Sequence, residues 1–206
     1  MATPAYPPGG TYFDNAKRSF TSVPINASKD NAISTTEFLE AAESLLGLFA
    51  VLGSAAFLPV KNDMAGNITK VRTRQLEAPL QSETLQELCV NELKTKKHVA
   101  TEGLVWLVRG LDFISQALRR NLTKSSEELS VSFRDAYGNT LKPHHGFLVK
   151  PLFSAAMSAC PYRKDFYSKL GDDQPRVQKE LDVWLTALEE RLKILNAFLA
   201  SKEAKW

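Results

Sequence analysis

Apolar positions along this chain recur at helical intervals almost everywhere, and a sustained alternation of the β type is nearly absent. In "STTEFLEAAESLLGLFAVL", Ser34 and Glu37 have capping-box spacing, and Phe38, Leu39, Ala42, Leu45, Leu46 and Phe49 follow on one face. A second helix is predicted over 61–75, ending before Pro79, and a third over 82–93. The fourth, over 98–120, contains "LVWLV" and "LDFISQAL" and is apolar on nearly every side, which makes it central and buried. A fifth is predicted over 125–138. The sixth lies within "HHGFLVKPLFSAAMSAC", where Pro151 should kink or break it and Pro161 should end it. A short helix over 163–170 stops at Gly171, and a last one covers 174–201. The pattern predicts an all-α fold of seven or eight helices. Residues 1–30, rich in Pro and Gly at the start, read as a flexible leader, and 31–206 as a single domain.

Within the second helix, Asp63, Asn67 and Lys70 fall within roughly 60° of one another. Met64, Ile68 and Val71 form an apolar stripe beside them. A carboxylate, an amide and an ammonium together suit hydroxyls or a polar amide. On spacing alone, a solvated face with an i, i+7 charge pair is the ordinary outcome of such a stripe. Gly66 on the same helix suggests close approach of another backbone. Trp106 sits in the apolar fourth helix, where a core tryptophan is the ordinary outcome and a stacking platform with one N–H donor the functional one. Arg109 follows on an overlapping face and would need a partner if buried. Only one of the adjacent His144 and His145 can face inward on a helix.

Composition narrows the function classes. The chain has 206 residues, 44% hydrophobic and 24% charged, with a net charge of +3. That balance is too weakly basic to imply nucleic acid but permits contact with an anionic membrane. Cys89 and Cys160 have no metal spacing and form no disulfide framework, which favours a reducing, cytoplasmic setting. The apolar stretch 45–60 is broken by Gly53 and Ser54 and is shorter than the roughly 20 residues that span a bilayer. No nucleophile elbow, metalloprotease, P-loop or dinucleotide motif occurs, so no catalytic residue, metal or cofactor is assigned. An acid/base pair of Asp63 and His145 has no nucleophile to serve.

The segments "LFAVLGSAAFLPVKNDMAGNITKV", "LVWLVRGLDFI", "AYGNTLKPHHGF" and "ACPYRKDF" together resemble the glycolipid transfer protein family over residues 35–170. The likeness is to its fungal heterokaryon-incompatibility branch in particular. The resemblance implies a two-layer, all-α sandwich enclosing an apolar lipid pocket, and non-enzymatic movement of glycosphingolipids between membranes. It implies that Asp63, Asn67 and Lys70 hydrogen-bond the first sugar and that Trp106 stacks beneath it. Asp63 and His145 would also meet the ceramide amide. The chain pocket would be lined by Leu48, Phe49, Phe113, Leu141 and Phe153. Partners would be a glycosphingolipid, such as glucosylceramide or galactosylceramide, and a membrane surface touched transiently, with no nucleic acid. Phe147, where relatives often carry Trp, and Tyr162 would touch the membrane, with Lys150, Arg163 and Lys164 meeting anionic head groups. Relatives that carry ceramide phosphate place an arginine where this chain has Trp106. A ceramide phosphate carrier and a sphingolipid sensor signalling to a protein remain alternatives. Trp206 has no assigned role: folding over the site, touching the membrane and hanging free are all open to it.

Overall fold

The structure, a computed structural model, describes residues 6–206. Among them are nine α-helices: α1 (Thr35–Leu45), α2 (Leu48–Leu52), α3 (Leu58–Glu77), α4 (Leu85–Lys94), α5 (Val99–Thr123), α6 (Leu129–Asn139), α7 (Val149–Ser158), α8 (Arg163–Leu170) and α9 (Gln174–Ala200). They stack as a two-layer sandwich around one apolar core. α5 is its axis, packed against α3, α4, α6 and α9. Leu104, Leu107, Leu111, Ile114, Ala117 and Leu118 of α5 are all fully buried, as its sequence predicts.

Local chemistry accounts for the departures from the expected boundaries. The first predicted helix is interrupted after Leu45, and α2 ends at Gly53, whose φ of 71° is left-handed and suits glycine. α3 begins earlier than predicted, at Leu58. Pro59 lies in its first turn, where a missing N–H costs nothing. Pro151 likewise falls in the first turn of α7 and neither kinks nor breaks it. The expected helix from His144 is absent, because Lys142–His144 form a 3-10 turn and helical structure resumes at Val149. The near-absence of strands has one exception, a two-residue hairpin pairing Ile25 with Ile33 and Asn26 with Ala32.

The flexible leader expected over 1–30 is not what residues 11–30 form; residues 1–5 lie outside the described residues. Phe20 is fully buried, 5.5 Å from Trp184 and 5.9 Å from Phe38 between ring centroids. Arg176 pairs with Asp14 at 2.6 Å, and Arg191 donates to the Val23 carbonyl at 2.7 Å. This arm straps α9 to α1 because its aromatic side chains find core partners. Its Pro and Gly content says nothing about those partners.

The start of α5 is fixed by a carboxylate that no sequence pattern announces. Glu92, buried in α4, accepts from the backbone N–H of Ala100 at 2.9 Å, the N–H of Thr101 at 2.7 Å and the Thr101 hydroxyl at 2.7 Å. It thereby satisfies free donors at the positive end of the helix dipole. Replacing Glu92 with Ala leaves those donors buried and unpaired. Denaturant unfolding should then show a loss of about 2–4 kcal/mol at neutral pH, since bonds to charged groups contribute about 1.5–3 kcal/mol each and partly overlap. A loss below about 0.5 kcal/mol, the range of a bland surface change, would contradict this role.

Candidate functional site

α3 and α5 lie antiparallel and unusually close, and two glycines of α5 permit it. A Cβ added at Gly103 would meet the Lys70 Cβ at 3.0 Å, and one at Gly110 would meet the Met64 Cγ at 3.3 Å. In that register Asn67 lies level with Trp106. The predicted stripe thus borders the predicted platform. Close approach is the work of Gly103 and Gly110. Gly66, expected to serve it, has open space around it.

The three polar groups of α3 form a hydrogen-bonded series. Asn67 donates through Nδ2 to the Asp63 carboxylate at 3.2 Å, and Lys70 donates to Asn67 Oδ1 at 3.1 Å. Asn67 is buried, while Asp63 and Lys70 reach solvent. The Asp63 carboxylate is exposed at its edge yet closely flanked by protein, so desolvation raises its pKa and the Lys70 charge opposes the rise. A group poised this way benefits from a ligand that donates to its ionised form.

Trp106 is half-buried at the same level. Its indole is stacked near the His145 imidazole, with centroids 5.9 Å apart and planes 19° from parallel. The Arg109 guanidinium lies over the indole, 4.9 Å from its centroid. His145 is half-buried and His144 exposed, so one of the two faces inward as expected. His145 Nδ1 lies 3.3 Å from the Tyr137 hydroxyl. With that hydroxyl donating, Nδ1 is the acceptor and Nε2–H is left free to donate. Burial, then the charges of His144, Lys150 and Arg109, lower the His145 pKa, which keeps the ring neutral at neutral pH. Sequence reasoning missed Tyr137. Its signal was its place in "AYGNTLKPHHGF", one and a half α-helical turns ahead of the turn that carries His145.

Behind this rim the interior is apolar. Leu48, Phe49, Phe113, Leu141 and Phe153 are all buried. Phe113 and Phe153 stand 6.1 Å apart, Phe153 stacks on Tyr137 at 5.0 Å, and Phe153 touches His145 at 4.5 Å. Phe49 reaches the same cluster through Phe57 and Phe133. The expected pocket residues are therefore one contiguous apolar body, closed on itself, in direct contact with the polar rim.

α7 separates that body from solvent. Its inner face buries Phe153, Ala156 and Met157, and Phe147, Leu148 and Leu152 lie on the outside. Phe147 is 81% exposed and Leu148 72%. Tyr162, at the start of α8, is also exposed. Leu148 and Leu152 were not foreseen; their spacing of four beside Phe147 was the available signal. Arg163 is less free than expected, since its guanidinium lies 4.2 Å from the Tyr167 ring and donates to the Asn121 carbonyl. Asp63 and His145 share no hydrogen bond among the described residues, and no group of three or more His, Cys, Asp or Glu there could hold a metal ion. Trp206 stacks on His98, with centroids 5.3 Å apart, at the N-terminus of α5.

Residues 33–172 match the family model described as "Glycolipid transfer protein (GLTP)". A "Glycolipid transfer protein" of Aureobasidium melanogenum is 71% identical over 202 residues, covering 98% of this chain and 99% of its own. Among solved structures, the fungal glycolipid transfer protein HET-C2 superposes with a TM-score of 0.93 at 63% identity, over 95% of this chain and 100% of that one. A structure of FAPP2, described as selecting simple glycosphingolipids with the same fold, gives 0.85 at 29% identity, over 95% and 98%.

Proposed function

The chain belongs to the glycolipid transfer protein family, and from that premise we propose that it carries simple glycosphingolipids between membranes without chemical change. One observation supports this most: a hydrogen-bonded series, Asp63–Asn67–Lys70, stands level with Trp106 at the rim of a closed apolar body. In this reading Asp63, Asn67 and Lys70 bond the hydroxyls of the first sugar, whose apolar face lies on Trp106. Asp63 also accepts from the ceramide amide N–H, and His145 donates through Nε2 to the amide carbonyl. The hydrocarbon chains part the rings of Phe49, Phe113 and Phe153 beside Leu48 and Leu141. Residues 11–206 act as one domain. We place the carrier in the cytoplasm, a reading that its free thiols, Cys89 and Cys160, support; no helix of the described residues is long and apolar enough to cross a membrane.

The driving force and the selectivity have separate sources. Burial of hydrocarbon contributes about 0.8 kcal/mol per CH₂ and is blind to the head group. Discrimination arises at the rim, because a site built for hydroxyls leaves its own polar groups unpaired when they are missing. The π face of Trp106 suits a sugar, whereas the planar fork of an arginine suits a phosphate. Glucosyl- or galactosylceramide should therefore outcompete ceramide phosphate at least about tenfold, a difference of about 1.4 kcal/mol. The measurement is transfer from vesicles holding both lipids in equal amounts. Trp106→Arg should lower sugar-lipid transfer and raise phosphate-lipid binding; equal rates in the native protein would end the sugar-selective reading. Efficient binding with negligible transfer would instead support a sensor.

Uptake requires contact with a membrane, and α7 is the proposed docking element. Phe147, Leu148, Leu152 and Tyr162 enter the interface together while Lys150 and Lys164 meet head groups. Replacing Phe147, Leu148 and Leu152 with Ser should reduce partitioning onto anionic vesicles at least about tenfold, since each large apolar side chain contributes about 1.5–3 kcal/mol when fully buried and less at an interface. Thermal stability should hold, because these side chains touch water. Unchanged partitioning would move the docking face elsewhere.

A further inference from the structure

His145 leaves the 3-10 turn Lys142–His144 in extended backbone, ahead of α7, so no helix fixes the direction of its ring. Side chains alone set the imidazole. Trp106 stacks near it at 5.9 Å, and Phe153 packs on it at 4.5 Å with planes tilted by 56°. Ring packing of this kind does not decide which edge of the imidazole points to the rim, nor which nitrogen carries the proton. One polar contact does: the Tyr137 hydroxyl, 3.3 Å from Nδ1. Neither that hydroxyl nor the imidazole has a second hydrogen-bond partner among the described residues. Tyr137 is itself pinned. It sits in the last turn of α6, its ring stacked on Phe153 at 5.0 Å and meeting Phe113 edge-on at 6.3 Å.

The two ways of placing the proton in this contact are not equivalent. With the hydroxyl donating, Nδ1 accepts and the ring proton sits on Nε2. With Nδ1–H donating, the proton of the hydroxyl has no acceptor among the described residues, and Tyr137 is buried, where an unmade hydrogen bond is costly. The first arrangement is therefore favoured. We propose that Tyr137 is the positioning residue for amide recognition: it orients the His145 ring and fixes its proton on Nε2, so that the rim offers a donor to the ceramide carbonyl. The proposal rests on the carrier reading and deepens it. An imidazole with a bare Nε2 would set a lone pair against the carbonyl oxygen, two acceptors face to face. The Tyr137 ring also belongs to the apolar body that the hydrocarbon chains enter, so this one hydrogen bond ties the amide donor to the pocket wall.

Two measurements test it. The first needs no lipid. Heteronuclear NMR of the histidine rings in the native protein at neutral pH should show His145 with a bare Nδ1 and a protonated Nε2. In Tyr137→Phe, which keeps the stacked ring, the same nitrogens should show exchange between the two tautomers. A proton on Nδ1 in the native protein overturns the proposal. The second is a double-mutant cycle read by galactosylceramide transfer. Tyr137→Phe should slow transfer about tenfold, or about 1.4 kcal/mol, when His145 is present. In a His145→Ala background it should cost less than about twofold, because a residue that acts through His145 then has nothing to position. An equal loss in both backgrounds assigns Tyr137 to the pocket wall alone and overturns the proposal, as does full transfer by Tyr137→Phe; in either case the carrier reading stands. A native protein that moves no galactosylceramide overturns the carrier reading, and the amide role with it, whichever tautomer it shows.

Discussion

A buried amide that must be paired on both sides holds the site together. Asn67 lies in the seam between α3 and α5, 3% exposed, where an unpaired donor or acceptor costs about 1–3 kcal/mol. It gives to Asp63 and takes from Lys70, and so fixes a carboxylate and an ammonium at the surface in one orientation. The seam is tight because α5 presents Gly103 to the Lys70 stem and Gly110 to Met64. The register of α5 depends in turn on Glu92 anchoring its first turn. Each layer constrains the next: the cap sets the helix, the glycines set the separation, and the separation fixes the rim.

The closed interior gives the binding event its energetic character. In the proposed carrier, the aromatic rings of α2, α5, α6 and α7 pack where the lipid chains are to enter. Entry of lipid exchanges protein–protein contacts for protein–lipid contacts, and the net gain comes from hydrocarbon removed from water. Of the surrounding elements, α7 is short, leans on α6 and the 55–57 turn, and exposes its other face. It is the element that can move with the least disruption of the core. Its exposed leucines and Phe147 are thus suited to a membrane at the place where the interior has to open.

Much of this was legible before the structure. The 3.6-residue period located nearly every helix, and the apolar surround of α5 marked it as the axis. The Asp63–Asn67–Lys70 spacing located a polar face, although spacing alone could not separate a binding rim from a solvated surface; the family resemblance is what favours the rim. What escaped depended on contacts distant in sequence. Glu92 reads as an ordinary charged position on an amphipathic helix until Thr101 is seen against it. Tyr137 gains meaning only once His145 folds back within 3.3 Å of it. Residues 11–30 looked like a leader because turn-rich composition describes local conformation, whereas the burial of Phe20 against Trp184 is set by a helix more than 150 positions away. Gly66 and Gly103 were indistinguishable as letters; one faces open space and the other faces a neighbouring helix.

The central claim is that the head group is held at the α3–α5 seam. A groove of about 1040 Å³ between α4 and α9 is a rival location. A crystal structure of the protein with bound glucosylceramide decides between them. The account predicts the glucose ring over Trp106, its hydroxyls bonded to Asp63, Asn67 and Lys70, and hydrocarbon between Phe113 and Phe153. A glucose ring in the α4–α9 groove, with Asn67 still paired only to Asp63 and Lys70 and the aromatic cluster still closed, would contradict it.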